Sequence, residues 1–233
     1  HNLITRCAKD GVLGAGEAKL WVLEIHHMLV MLHIELFTNI GTQAMQNNQP
    51  GQARLAFERG VQYLRTQPEP KVFEDHRGHF FESYRQDALM DYGNPTFVQD
   101  NQSLSHAGIL RGLHFQREPH AQGKFVRVIT GAVLDVALDI RKSSPTYGQF
   151  VAEKLTAANK RMLYIPPGFA HGFLTLEDNT IFTYKCTDYY APASEGGVLW
   201  NSPSLNIPWG VENPVLSAKD EILPDFSVFE SPF

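Results

Sequence analysis

The chain has only two cysteines, Cys7 and Cys186, far apart among its 233 residues. They offer neither a disulfide framework nor a cysteine-ligated zinc site, and so sparing a use of cysteine fits a reducing compartment such as the cytoplasm. Long apolar runs are missing as well. The longest, Leu20 to Leu36, is interrupted by Glu24, His26, His27, His33 and Glu35, which argues against a membrane span. Basic residues are also in short supply. Twenty Lys and Arg against 25 Asp and Glu give a formal charge of −5 and a pI near 6.1. The clustered basic excess that marks a nucleic-acid-binding domain is therefore absent. With 43% hydrophobic residues, the chain can build one good core and a satellite, or one large β domain, but not three domains.

Proline is nearly missing from residues 1–66, where Pro50 stands alone, while the other 13 prolines follow. In this first region Trp21, Leu23, Ile25, Met28, Leu29, Leu32 and Leu36 make a wide apolar stripe. Ala44, Ala53, Phe57, Val61 and Leu64 continue it at three- and four-residue steps. Asn47-Asn48-Gln49-Pro50-Gly51 is a helix stop and turn, so the pattern predicts an α-helical hairpin. Phe37, Ile40, Gly41 and Ala44, then Ala53, Phe57 and Gly60, have the spacing of one tetratricopeptide-like unit. A single unit cannot bury its own faces, so the hairpin is expected to pack on something else, either its own chain or a protein partner. His26, His27 and His33 lack a nearby carboxylate pair or cysteine and read as surface or boundary residues.

Residues 67–233 have a different texture, with 14 Lys and Arg against 20 Asp and Glu. Runs of Val, Ile, Phe and Tyr bounded by Gly, Pro, Asn and Ser predict strands at 80–84, 96–99, 109–115, 125–130, 133–140, 150–155, 162–165, 172–176 and 181–187. Many short, closely spaced strands indicate a mainly β domain, a sandwich or barrel. In the run 133–140, Leu134, Val136, Leu138 and Ile140 share one face and Asp135 and Asp139 the other. One face is core, and the other meets solvent or a polar cavity.

Two segments carry the chemistry. Gly108, His114, Gln116, Lys124 and Gly131 follow the spacing of the first cupin motif, and Pro166-Pro167-Gly168-Phe169-Ala170-His171 that of the second. The resemblance implies a cupin-type jelly roll. In metal-binding cupins, two His and a Glu of the first motif and a His of the second hold a divalent ion. Here His114 and His171 keep their places, but Gln116 replaces the second His and Lys124 the Glu. An ammonium repels a divalent cation and an amide is a poor substitute for imidazole, so no metal is expected and the pocket suits an anion.

A longer pattern resembles the dTDP-4-dehydrorhamnose 3,5-epimerase family. It comprises Val72-Phe73, Asp75, Arg77-Gly78, Phe80 to Ser83, Phe97 to Asn101, Arg111 to Gln116, Gly123-Lys124, Asp135-Val136 and Asp139 to Arg141. It continues through Ser144 to Thr146, Ile165 to Phe173, Tyr184-Lys185, Tyr189-Tyr190, Glu195-Gly196, Leu199-Trp200 and Leu216 to Asp220. The match runs from Pro70 to about Phe226. Family members epimerise dTDP-4-dehydro-6-deoxy-D-glucose at C3 and C5, without metal or organic cofactor, as jelly-roll homodimers. The resemblance departs at the start, where the helical region replaces the short β segment that usually precedes Glu69-Pro70-Lys71-Val72-Phe73.

A proton beside a ketone leaves behind an enolate, and imidazole, with a pKa near ~6.5, is a suitable base. His114 is the candidate, oriented by Asp220. Lys124 would face the enolate oxygen. The resemblance gives Tyr184 the part of the acid on the opposite face and sets His171 near the sugar carbonyl. It also implies dTDP-sugar contacts for Arg77, Glu82, Gln99, Asn101, Arg111, Glu195 and Lys219. Arg111 and His114 differ by three positions, so a regular strand would send them to opposite faces; a bulge at Gly112 would reunite them. Three other readings remain: a single-centre epimerase, a sugar-binding scaffold without catalysis, and a metal-dependent cupin.

Overall fold

The computed structural model describes residues 70–233, and for Asp91 and Tyr92 the backbone alone. The expected helical hairpin, its repeat-like spacing, and His26, His27 and His33 lie outside the described residues. The strands are β1 (Val72–Asp75), β2 (Gly78–Phe81), β3 (Gln99–Ser105), β4 (Leu110–Gln116), β5 (Lys124–Thr130), β6 (Ala132–Asp139), β7 (Phe150–Thr156), β8 (Met162–Ile165), β9 (Phe169–Thr175), β10 (Thr180–Cys186) and β11 (Glu195–Gly197). A single helical turn, α1 (Ala218–Glu221), follows late in the chain.

Strand pairing is antiparallel and nested. β3 pairs with β10, β4 with β9, β5 with β8 and β6 with β7, so each pair encloses the next. Alternate pairs go to opposite sheets, giving the orders β3-β10-β5-β8 and β11-β4-β9-β6-β7. This is the jelly roll that the motifs imply. β1 and β2 form a separate hairpin. Residues Arg85–Pro95, with a 3-10 turn over Gln86–Tyr92, are not part of the compact unit that holds the sheets.

Two apolar clusters hold this unit together. Between the sheets, Val126, Val128, Leu163, Ile165 and Phe182 meet Val133, Ala137, Leu155, Phe169 and Phe173, with the Phe173 and Phe182 rings 4.3 Å apart. On the far face of the five-stranded sheet, Leu110, Leu113, Phe115, Val136, Leu138 and Leu174 pack under Trp200, Leu205, Trp209 and the rings of Phe226, Phe229 and Phe233. Each fully buried aliphatic or aromatic side chain contributes about 1.5–3 kcal/mol. The C-terminal segment is thus a third layer, and the five-stranded sheet is buried on both faces. That explains β6. Its Leu134 face lies in the second cluster, while its other face carries Asp135, fully buried, into the space between the sheets. Asp139 instead closes the following loop, accepting from Arg141, Ser144 and Thr146.

The strand positions follow the sequence pattern where one face is apolar and miss it where neither is. β3 lies at Gln99–Ser105 rather than at 96–99, because its inward residues are Gln99, Asn101, Ser103 and Ser105 while Leu104 points out, 58% exposed. A strand whose buried face is polar inverts the usual signal. β11 is three residues of Glu and Gly, too short and too polar to read.

Candidate active site

The local build starts with β4. Its register against β9 shifts between Arg111 and His114, as the three-residue spacing requires if both are to face inward. Gly112 makes the shift at φ 118, and a Cβ there would lie 2.6 Å from the Gly172 Cα and the His171 carbonyl oxygen. No side chain fits, so Leu110, Leu113 and Phe115 enter the outer cluster while Arg111 and His114 turn inward. Gly112→Ala is expected to destabilise by about 1–3 kcal/mol through overpacking and to reduce turnover, because Arg111 and His114 lose their common face. Thermal unfolding and initial rates on the purified variant check both.

His114 and His171 are direct partners across β4 and β9. His114 Nε2 lies 2.5 Å from Asp220 Oδ1. Asp220 is buried on α1, capped by Ser217, whose hydroxyl accepts from its backbone N–H. Burial opposes ionisation of Asp220, but the His114 hydrogen bond and charge, with help from Ser217 and the Gly112 N–H, hold its carboxyl below the usual range. An ionised Asp220 keeps the proton on Nε2 and leaves Nδ1 as the basic nitrogen. Beside this pair, Glu195 of β11 meets Lys219 at 2.5 Å and accepts from the Tyr190 hydroxyl at 2.9 Å.

The facing sheet supplies the other groups. Lys124 pairs with Cys186 across β5 and β10, and its ammonium lies 5.9 Å from the Tyr184 ring centre. Burial lowers the Lys124 pKa, opposed by the charges of Asp135 and Glu195. Tyr184 and Asn101 are direct partners across β10 and β3, and their side chains hydrogen-bond. Burial raises the Tyr184 pKa, which keeps the phenol protonated at neutral pH. Gln99 donates to Asn101, and its carbonyl accepts from the Tyr190 backbone. Arg111 donates to Ser105 on the inner face of β3.

Gln116 has a different job. Its amide donates to the carbonyls of His120 and Tyr189 and accepts from the Ala191 N–H, so it ties two mouth loops together. The side chain at the second ligand position of the motif is spent on backbone. Among the described residues there is no cluster of three His, Cys, Asp or Glu fit to hold a metal.

The structure therefore brings His114, Asp220, His171, Lys124, Tyr184, Gln99, Asn101, Arg111, Glu195 and Lys219 near one another through pairings, hydrogen bonds and electrostatic coupling across the two sheets. Two of the candidates lie elsewhere. Arg77 sits on the exposed β1–β2 hairpin with its guanidinium on Asp75. Glu82 follows that hairpin, exposed. Asp135 belongs to this group although no role was assigned to it from sequence; its Oδ2 lies 2.8 Å from His171 Nε2. The available signal was an acidic residue recurring in an otherwise apolar strand.

A jelly roll with His114, Lys124 and His171 at the motif positions defines a cupin-type fold. Residues 65–227 match the family described as dTDP-4-dehydrorhamnose 3,5-epimerase. A Salmonella typhimurium enzyme of that name is 56% identical over 159 residues, covering 67% of this chain and 87% of its own. The solved Bacillus anthracis epimerase, with TDP and PPi bound, is 51% identical with a TM-score of 0.65, covering 67% of this chain and 90% of its own. A Legionella pneumophila dTDP-6-deoxy-D-glucose-3,5-epimerase, solved with dTDP-4-keto-L-rhamnose, is 44% identical with a TM-score of 0.67, covering 72% of this chain and 93% of its own. The chain belongs to the dTDP-4-dehydrorhamnose 3,5-epimerase family and is a carbohydrate epimerase.

Proposed function

We propose that this chain converts dTDP-4-dehydro-6-deoxy-D-glucose to dTDP-4-dehydro-β-L-rhamnose by a two-sided proton relay. One observation carries the reading: His114, held by Asp220, and Tyr184 stand on different sheets of the jelly roll. C3 and C5 both flank the C4 ketone, so a proton lost from either leaves an enolate on the same oxygen. His114 Nδ1 takes the proton, the electron pair moves onto the C4 oxygen, and Lys124 stabilises the charge. Tyr184 returns a proton from the other side, which inverts the carbon. The imidazolium and phenolate are then reset by exchange with solvent. His171, holding Asp135, hydrogen-bonds the sugar, while Arg111, Gln99, Asn101, Glu195 and Lys219 bind the dTDP-sugar. Incubation of substrate in heavy water is expected to place deuterium at both C3 and C5. Deuterium at one carbon indicates a single-centre epimerase, and none indicates a binding scaffold.

Homodimerisation through the β domain is part of the proposal. Phe73 and Phe80 on the hairpin are 54% and 70% exposed, and Leu104 and Ile129 face outward from the four-stranded sheet. That outer face also bears a cavity of about 370 Å³ lined by Tyr84, Phe125, Arg127 and Lys185 among others. In such a dimer Arg77 and Glu82 would serve the cavity of a neighbouring copy. No described helix is long and apolar enough to cross a membrane, and the reading places the enzyme in the cytoplasm.

The domain boundary is proposed near residue 66, with 1–66 a module for a protein partner. Among the described residues, both apolar clusters draw on Leu110 and later positions, and the composition changes near residue 66. Deleting residues 1–66 is therefore expected to leave a β domain that unfolds cooperatively in denaturant. An insoluble or non-cooperative product would show that the segments fold together, and sedimentation of both forms reads the dimer.

A further inference from the structure

Asp135 is fully buried, yet the relay above gives its charge no task. Its Oδ2 holds His171, whereas Oδ1 has no hydrogen-bond partner among the described residues. A buried carboxylate with one oxygen unmet is costly unless an opposite charge stands near. Among the described residues Lys124, on the facing sheet, is a cation whose electrostatics couple to it.

We infer that Asp135 is a positioning residue that sets the charge pattern of the cavity, holding His171 as the neutral Nε2–H tautomer and Lys124 as the ammonium. The inference deepens the reading above, since it rests on Lys124 meeting the enolate oxygen. Its logic is competition for one anion. Two neighbouring cations on one carboxylate would repel each other, so only one of Lys124 and His171 is charged. Their ordinary pKa values, about 10.4 and 6.5, decide in favour of lysine. Burial acts on both groups in the same direction. For His171 burial is the first cause of a lowered pKa; Asp135 opposes it, and Lys124 and His114 add to it. Around Lys124 stand Asp135 of β6, Glu195 of β11, Cys186 and Tyr184 of β10, His171 of β9 and Lys219 of α1. Burial raises both Cys186 and Tyr184, so neither supplies an anion at neutral pH. Glu195 is already bound to Lys219 and Tyr190. Asp135 is left as the counter-charge for Lys124.

The consequence for chemistry is a division of labour. With its Nε2–H given to Asp135, His171 can only accept a hydrogen bond through Nδ1, which suits a sugar hydroxyl. The proton that meets the ketone oxygen then comes from Lys124.

The test uses the full chain labelled with ¹⁵N-lysine and ¹⁵N-histidine, as wild type and as Asp135→Asn, with Lys124→Arg to assign the Lys124 signal. In wild type the His171 ring is expected to show a protonated Nε2 and a bare Nδ1 from pH 6 to 9. In Asp135→Asn the Lys124 midpoint is expected to fall by about one pH unit or more, and the alkaline fall of kcat to move with it. A charged or Nδ1–H His171 in wild type would overturn the inference, as would an unmoved Lys124 midpoint in a folded Asp135→Asn. If that variant does not fold, the wild-type histidine spectrum decides by itself. A Lys124 midpoint that moves while the kcat limb stays would uphold Asp135 and remove Lys124 from the oxyanion.

Discussion

His114→Asn is expected to stop solvent exchange at both C3 and C5, whereas Tyr184→Phe keeps exchange and loses inversion. The difference follows from where the two groups stand. In the proposed relay His114, set on β4 and paired with Asp220, removes the first proton, so its loss would block enolate formation altogether. Tyr184 stands on β10 of the opposite sheet and acts only after the enolate exists. In Tyr184→Phe, deuterium returns from the His114 side, with retention at the carbon that Tyr184 serves. Losing a base or acid of this kind costs about 10²–10⁴ in rate. Proton NMR of the recovered sugar gives exchange and configuration in one measurement, and unchanged thermal stability of both variants separates chemistry from packing. Complete and equal loss of exchange in the two would make Tyr184 a group that positions the sugar or supports the base, and the two-sided relay would be wrong.

Lys124→Ala is expected to lower kcat by about 10²–10³ while changing KM far less. The ground-state ketone is neutral and the enolate carries a full charge, so an ammonium at that oxygen favours the transition state over the substrate. The sign of the pH dependence follows from the burial of Lys124. Burial lowers its pKa below the ordinary lysine value, and the active form is the charged one. Activity that depends on Lys124 is therefore present below that lowered value and lost as pH rises through it. Steady-state kinetics across the alkaline range check both parts. A loss confined to KM would assign Lys124 to the diphosphate instead.

The two predictions depend on different kinds of information. That His114 and Lys124 belong to one site was readable from their spacing within a motif. That Asp220 reaches His114 was suggested only by the family resemblance, because 106 positions separate them and α1 has four residues. The inward turn of Arg111 was legible as a condition: a bulge had to form at Gly112. Whether it formed depended on Gly172, whose lack of a side chain lets the two backbones approach. β3 shows the limit of pattern reading. Its buried face is polar, so periodicity set this strand at 96–99 instead of Gln99–Ser105.

By itself the sequence determined the β class and, through the motif resemblance, the jelly roll. Alternation along strands and the identity of side chains at motif positions are local properties, legible without knowing which strands pair. Only the tertiary structure decided which charges meet. It spent Gln116 on the mouth loops, placed Arg77 on an exposed hairpin, and buried Asp135 against His171 with one oxygen left unmet. The physical reason is that hydrogen bonds and charges act over a few ångströms, and the partners come from strands that the nested pairing of the barrel, not their order in the chain, brings face to face.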